Sequence, residues 1–331
     1  MLLFSQYTPS PFHLLSTVPT ELPDSLDDAA IIAAEACAKY SSEFGQDFTT
    51  KCRVDFDTTI GDETYTILKS STEFMQKFVS ALCYATIDGL QQRKQDELMR
   101  VAQARVELKQ VMDNEDGVDE EKKQELLAIL QSDGRNGSPE YKGLKARIYF
   151  PDEGNAALAK RDWEGEVPDC VEYAACGGMR LIDKSDDALV FFFCPQASEA
   201  KNVERLVMEY DNNDKTQTVV LINPTLVDMG VTGFGMAGRM LRERLLDQLE
   251  YTYYLRTLTW GALTRTWPNA YSVWQEDEGA DGGYKLISTM DRLPSNPEVE
   301  DIYDLENDVS GAGETDILGS LGDFVSGMMR L

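Results

Sequence analysis

The chain has 331 residues, 42% of them hydrophobic and 27% charged, enough to bury a core in one large domain or two small ones. Asp and Glu number 58 against 31 Lys and Arg, a formal net charge of −27, which repels phosphate backbones and anionic headgroups. Nucleic acid is therefore not an expected partner. No apolar run approaches the roughly 20 residues a spanning helix needs, so no transmembrane insertion is expected.

Residues 1–24 carry Pro9, Pro11, Pro19 and Pro23 and read as an extended lead-in. Met1–Phe12 lacks the basic start and long apolar centre of a secretory signal, so any targeting segment is expected to be absent or removed. Ser25, with Asp28 three residues on, predicts a helix start, and the helix Leu26–Phe44 carries a stripe of Ala30, Ile31, Ala34, Cys37 and Ala38. Gly45 ends it. Cys52–Phe56 alternates as a strand, and Thr64–Ile87 repeats apolar residues at helical spacing.

Composition changes at Gly89. From Gln91 to Gln131 the chain is rich in Glu, Lys, Gln and Arg and is broken at Asn114–Gly117. This predicts a helical hairpin inserted over residues 90–143, its weak stripe formed by Leu98, Val101, Leu108, Val111, Leu126, Leu127 and Leu130. Lacking sustained heptads, it reads as a solvated arm before a partner-binding coiled coil.

Three apolar runs then end at proline: Arg147–Pro151, Ala188–Pro195 and Thr218–Pro224. Each precedes a helical pattern, at Gly154–Trp163, Ser198–Tyr210 and Met236–Leu249, with a weaker strand or turn near Met179–Asp183. Such runs are the mark of parallel strands buried on both faces. The fold class predicted is α/β, a Rossmann-like three-layer sandwich with a mostly parallel central sheet. If the three strands are neighbours, their carboxyl ends bring Asp152, Gln196 and Asn223 to one edge, where open α/β sheets bind ligands. Tyr251–Leu258, Gly261–Trp267, Tyr271–Gln275 and Gly283–Thr289 follow as an antiparallel addition. One α/β domain is thus expected over 25–293. Residues 294–331 are expected as an acidic tether followed by a helix, Thr315–Leu331, with Leu318, Leu321, Phe324, Val325 and Met328 on one face. That helix docks on its own domain or serves a partner.

Chemistry is sparse. His13 is the single histidine, and Cys37, Cys52, Cys83, Cys170, Cys176 and Cys194 contain no C-x-x-C pair. Free thiols, no structural zinc, no histidine-based catalysis and no cofactor are expected. Gly233, Gly235 and Gly238 fit G-x-G-x-x-G, but they follow a late strand and lack the acid expected about 20 residues further on. They read as a loop. Asp152 and Glu153 read first as helix caps and Asn223-Pro224 as a strand terminator. Arg265 needs a carboxylate if it faces the sheet, and is a contact residue if it faces out. With the nearby aromatics it also suits an interface anchor.

Gly261, Arg265, Trp267, Pro268 and Tyr271, followed by Val273, resemble the C-terminal signature of a plastid and cyanobacterial domain family of unknown function. Arg147–Asp152, Val219–Pro224 and Pro23–Ala29 support the likeness, which covers about residues 19–90 and 144–293. Asn269 and Ala270 depart from it, standing where members often have glycine and proline; Tyr271 is often tryptophan. Members include a plant factor associated with low photosystem II accumulation and a domain fused to a chloroplast adenylate kinase. The resemblance implies a chloroplast protein of the stroma or stromal thylakoid face, a photosystem II assembly factor with protein partners and no established catalytic residues. The alternative is a small-molecule or nucleotide-binding domain, enzyme or not, using the crevice near Asp152, Gln196 and Asn223.

Overall fold

The computed structural model describes residues 22–45, 48–57, 64–112, 119–136, 138–178, 182–212, 216–226 and 236–311. The chain divides into two compact units, Pro23–Leu255, and Arg256–Leu331 together with Met1–Leu22. Nine strands, the earlier ones parallel and the last three antiparallel, combine with eight α-helices among the described residues. The class is α/β, as expected.

The larger unit begins with α1 (Leu26–Phe44), β1 (Thr50–Phe56), α2 (Thr64–Thr86), α3 (Leu90–Met112) and α4 (Glu120–Gln131). It continues with β2 (Lys145–Phe150), α5 (Glu153–Asp162), β3 (Val171–Ala175), β4 (Asp187–Phe193), α6 (Ala200–Asp211), β5 (Thr218–Ile222) and α7 (Met236–Arg244), and enters β6 (Glu250–Leu258). Its strands run in the order β3-β2-β4-β5-β1-β6 and every pairing is parallel. The three proline-terminated strands β2, β4 and β5 are neighbours, with Phe193 opposite Ile222 and Tyr149 opposite Phe192.

All five residues of β5 are buried, because both faces of the sheet are covered. On one face Ala30, Ala34 and Cys37 of α1, Phe78 and Leu82 of α2, and Ala156 of α5 pack with Val54, Ile148, Phe191 and Val220. On the other, Val203, Leu206 and Tyr210 of α6 and Leu241 of α7 pack with Tyr149, Phe192, Val219 and Leu221. Burying a side chain of this size contributes about 1.5–3 kcal/mol, so the two alternating faces of each strand dominate the unit's stability.

Several expectations are corrected. Ile31 is 46% exposed; the buried face of α1 is Ala29, Ala30, Ala33, Ala34, Ala36 and Cys37, because small residues let the helix lie close. Of the stripe expected for the hairpin, Leu98 and Leu127 are exposed, whereas Val111 and Leu126 are buried with Ala104 between α3 and α4, and Leu108 and Leu130 pack against them. The strand or turn expected near Met179–Asp183 falls mostly outside the described residues, and β3 at Val171–Ala175 was not expected: it is an edge strand whose first three residues are only half-buried and so lack a long apolar run. β6 is not antiparallel to the sheet: it runs parallel beside β1, with Cys52 opposite Glu250 and Phe56 opposite Leu255. Residues 1–21, the break at Asn114–Gly117, Gly233, Gly235, and the helix Thr315–Leu331 with Leu318, Leu321, Phe324, Val325 and Met328 lie outside the described residues.

In the smaller unit β7 (Gly261–Thr266), β8 (Tyr271–Glu276) and β9 (Tyr284–Met290) form an antiparallel meander. The acidic stretch expected as a tether is helical from its start, as α8 (Asn296–Gly311). The sequence signal missed is a capping pattern: Glu298 reaches back to accept from the Ser295 amide at 2.8 Å, and Arg292 pairs with the same carboxylate. One face of α8 then finds partners. Trp260 stacks on Tyr303 at 4.2 Å, Val299 is 1% exposed, and Lys285 Nζ lies 2.6 Å from Glu306.

Candidate functional site

The carboxyl edge of β2, β4, β5 and β1 is where the architecture directs a search. The connection after β1 leads to α2 on one face, and that after β5 leads to α7 on the other. β1 and β5 are adjacent, so a crevice is expected between their ends.

Asp152, Gln196 and Asn223 do follow the ends of parallel neighbours. Asp152 caps α5: Oδ1 accepts from the Asn155 amide at 2.8 Å and Oδ2 from Asn155 Nδ2 at 2.7 Å. Gln196 is exposed; it bridges Thr225 in parallel register, and its amide donates to Glu199 Oε2 at 2.9 Å. Asn223 sits at the crevice itself. Its Oδ1 accepts from the Phe56 amide at 2.8 Å and its Nδ2 donates to the Phe56 carbonyl at 3.0 Å. The side-chain amide imitates a peptide group and carries the β5–β1 ladder one residue further. The crevice is laced by the residue expected to line it.

Cys194 ends β4 as Asn223 ends β5. Both have φ of +44°, both precede proline, and the Cys194 amide donates to the Ile222 carbonyl at 2.9 Å. Asparagine adopts this left-handed backbone with little strain, whereas cysteine does so less readily.

Sequence reasoning missed Arg53 and Asp55. They occupy the β1 positions between Cys52, Val54 and Phe56. Arg53 Nε lies 3.0 and 3.1 Å from the two Asp55 carboxylate oxygens, and Nη2 lies 2.7 Å from Oδ2. The guanidinium stacks 4.5 Å over the Tyr251 ring. Burial raises the Asp55 carboxyl, against the pull of Arg53. Cys194 is pushed up to about 12, by burial and then by the Asp55 charge, which keeps it a thiol and a poor nucleophile near neutrality. The available signal was Arg and Asp at i and i+2 in a strand that must be covered on both sides.

A second ion pair lies at the other end of the strands. Arg147 of β2 meets Asp187, the first residue of β4, at 2.7 and 2.8 Å, and both are buried. Tyr210 Oη donates to Asp187 at 2.8 Å, Tyr149 Oη lies 3.0 Å from Tyr210 Oη, and Arg147 also donates to the Asp183 carbonyl at 2.9 Å. Every charge is answered internally, which is the arrangement of a structural network.

In the smaller unit the signature residues hold a hairpin. A Cβ on Gly261 would stand 1.8 Å from the Trp274 carbonyl oxygen. Arg265 lies 4.9 Å over the Tyr271 ring, and its Nε donates to the Asn269 carbonyl at 3.2 Å, across the turn that contains the cis Trp267–Pro268 peptide. Its partners thus include a carbonyl and a ring of its own hairpin. Trp274 Nε1 donates to Thr264 at 2.9 Å.

All six cysteines are free thiols, five buried and Cys194 half-buried. Among the described residues no cluster of three His, Cys, Asp or Glu side chains could hold a metal ion, and no helix is long and apolar enough to cross a membrane. The fold and its edge define an α/β protein with a parallel-sheet unit in which the side chains of Asp152 and Asn223 serve the fold. The chain belongs to the family described as a domain of unknown function, DUF1995, whose model matches residues 23–301. No curated protein and no solved structure matches it.

Proposed function

We propose that this protein is a non-enzymatic interaction factor of the chloroplast, acting at the stromal face of the thylakoid in photosystem II assembly. The plastid setting rests on the resemblance carried by Gly261, Arg265, Trp267, Pro268 and Tyr271. The non-enzymatic reading rests on one observation: both polar atoms of the Asn223 amide are committed to the Phe56 backbone. A residue that seals a sheet edge does not recognise a substrate there. Asp152 points the same way, since both its carboxylate oxygens are spent on Asn155.

The client is a basic or membrane-embedded protein rather than lipid, given the net charge of −27. Co-fractionation tests the proposal. Tagged full-length protein is expected to migrate with photosystem II assembly intermediates in thylakoid extracts, and its depletion to lower photosystem II accumulation. Migration only as a free protein, with photosystem II unchanged on depletion, would remove the proposal.

A further inference from the structure

The arm formed by α3 and α4 is not loosely hung. Arg93 Nη1 donates to the Pro139 carbonyl at 2.7 Å and its Nη2 lies 2.6 Å from Asp169. Arg100 donates to the Gly134 carbonyl at 2.9 Å, and Arg135 to the Gly165 and Val167 carbonyls at 2.6 and 3.1 Å. Charge-assisted bonds to fixed carbonyls hold the arm's base in place.

On this fixed arm α3 is apolar twice over. Val101, Ala104, Leu108 and Val111 form the side that closes on α4 or the base. A second stripe, Leu98, Met99, Val106 and Met112, is 56%, 54%, 59% and 60% exposed. At 1.5 Å per residue it extends about 21 Å along the helix. At about 100° per residue Leu98, Val106 and Met99 lie within about 100° of one another and Met112 about 40° to the other side of Leu98, so the four share one broad face centred away from the side that closes on α4.

Charge singles out the same stripe. Arg105 and Lys109 lie on it, exposed, with no carboxylate partner among the described residues. The acids of α3 are turned elsewhere: Glu97 is buried beside Arg93, Glu107 pairs with Lys122 of α4 at 3.5 Å, and Asp96 accepts from Gln92. A chain of net charge −27 thus presents a basic, apolar helix face.

We propose that this face of α3 docks an acidic amphipathic helix of a protein partner. The partner's apolar stripe covers Leu98, Met99, Val106 and Met112, and its rim carboxylates meet Arg105 and Lys109. The inference rests on the interaction reading above and concerns one segment of the partner: that helix is acidic, whereas the client as a whole is basic or membrane-embedded and meets the acidic remainder of this chain. A lipid surface suits it less well, because the rest of the chain is repelled by anionic headgroups.

The test uses the full chain and two fluorescent synthetic helices with one leucine stripe, rimmed by Glu in one and by Lys in the other. The Glu-rimmed peptide is expected to bind, and the Lys-rimmed peptide to bind at least about tenfold more weakly. Met99→Glu with Val106→Glu should weaken the Glu-rimmed peptide by about tenfold or more, and Arg105→Glu with Lys109→Glu should reverse the peptide preference. These positions are exposed, so circular dichroism and the denaturation midpoint should be unchanged. The proposal is overturned if the Glu-rimmed peptide fails to bind or binds the variants equally well. It is overturned too if the charge-reversed face releases the chain from phosphatidylglycerol vesicles, or if Met99→Glu with Val106→Glu converts a dimer to a monomer. If wild type and this variant both migrate with photosystem II intermediates, the docking face is wrong and the assembly role stands. If neither migrates with them, the assembly role itself fails.

Discussion

Asn223 and Cys194 terminate adjacent parallel strands by the same device. Each takes a left-handed backbone at φ +44° immediately before a proline, and each amide continues the ladder to the next strand, Asn223 to Val54 and Cys194 to Ile222. Asn223 adds the two side-chain bonds to Phe56. Replacing it with glycine keeps the backbone conformation and removes only those bonds, a cost of about 1–3 kcal/mol. Replacing it with alanine adds about 1–2 kcal/mol of left-handed strain. Urea denaturation should therefore order the proteins as wild type, Asn223→Gly, Asn223→Ala. Faster hydrogen exchange at the Phe56 amide in both variants would locate the loss at the β5–β1 edge.

The lacing of that edge also bears on ligands. A molecule at 100 times its dissociation constant stabilises the folded state by about 2.7 kcal/mol, which a melting curve resolves. Nucleotides, sugar phosphates and tetrapyrroles are expected to leave the melting temperature of the wild-type protein unchanged. A reproducible rise with any of them, lost in Arg53→Met, would return the crevice to consideration as a binding site.

The buried Arg147–Asp187 pair should behave asymmetrically. Asp187→Asn leaves the guanidinium without its counter-charge and should cost about 3–5 kcal/mol. Replacing both partners, as Arg147→Met with Asp187→Leu, removes the charges together and should cost far less, provided Tyr210 is also changed to Phe so that its hydroxyl is not orphaned. A double-mutant cycle in urea decides it: additive losses would mean that the pair is not coupled.

Much of this fold was legible, and the reasons separate cleanly by residue. Val219, Val220, Leu221 and Ile222 form a continuous apolar run, which has few solutions other than a strand covered on both faces, and Pro224 marks its end. β3 escaped notice because an edge strand needs no such run: Val171, Glu172 and Tyr173 are half-buried and mixed in character. α8 escaped notice because its acidity read as solvation, while the Ser295-to-Glu298 spacing that starts it was masked by Pro297. At the candidate site Asp152 reads as a helix cap and is one, and Asn223 reads as a strand terminator and is one; the part not legible is that the Asn223 amide bonds the Phe56 backbone of the neighbouring strand. Which backbone an amide will bond depends on strand order, and sequence carries that only indirectly. Arg53 and Asp55 show the converse case, charges in a covered strand that local alternation alone does not flag.

The tyrosines predict alkaline behaviour. Burial pushes Tyr84, Tyr149 and Tyr173 up to about 12, and raises Tyr210 and Tyr253 further still. For a phenol, a folded value above the unfolded value near 10 means that the native state holds its proton longer. Stability is therefore unaffected by these groups below about pH 10 and falls as pH rises from there through the folded values. Absorbance at 295 nm should show exposed phenols ionising first and the buried group ionising together with loss of the near-ultraviolet circular dichroism signal. Smooth titration of all 14 tyrosines around pH 10 without unfolding would contradict the packing described for Tyr149 and Tyr210.

The start of α8 gives the complementary acid test. Glu298 is held down to about 2, first by Arg292 and then by the amide and hydroxyl of Ser295. A depressed carboxylate contributes above its unfolded value, near 4.5, and loses that contribution as pH falls through about 2. The first turn of α8 should consequently stay protected from hydrogen exchange down to about pH 4 and fray below it, ahead of the buried core of β5. Glu298→Gln should fray the same turn at every pH, because the amide cannot replace the charge that Arg292 holds. Trp260→Ala should instead loosen the middle of the helix, by removing the ring that stacks on Tyr303. Protection at the Val299 amide that is equal in wild type and Glu298→Gln would show that the carboxylate does not cap the helix.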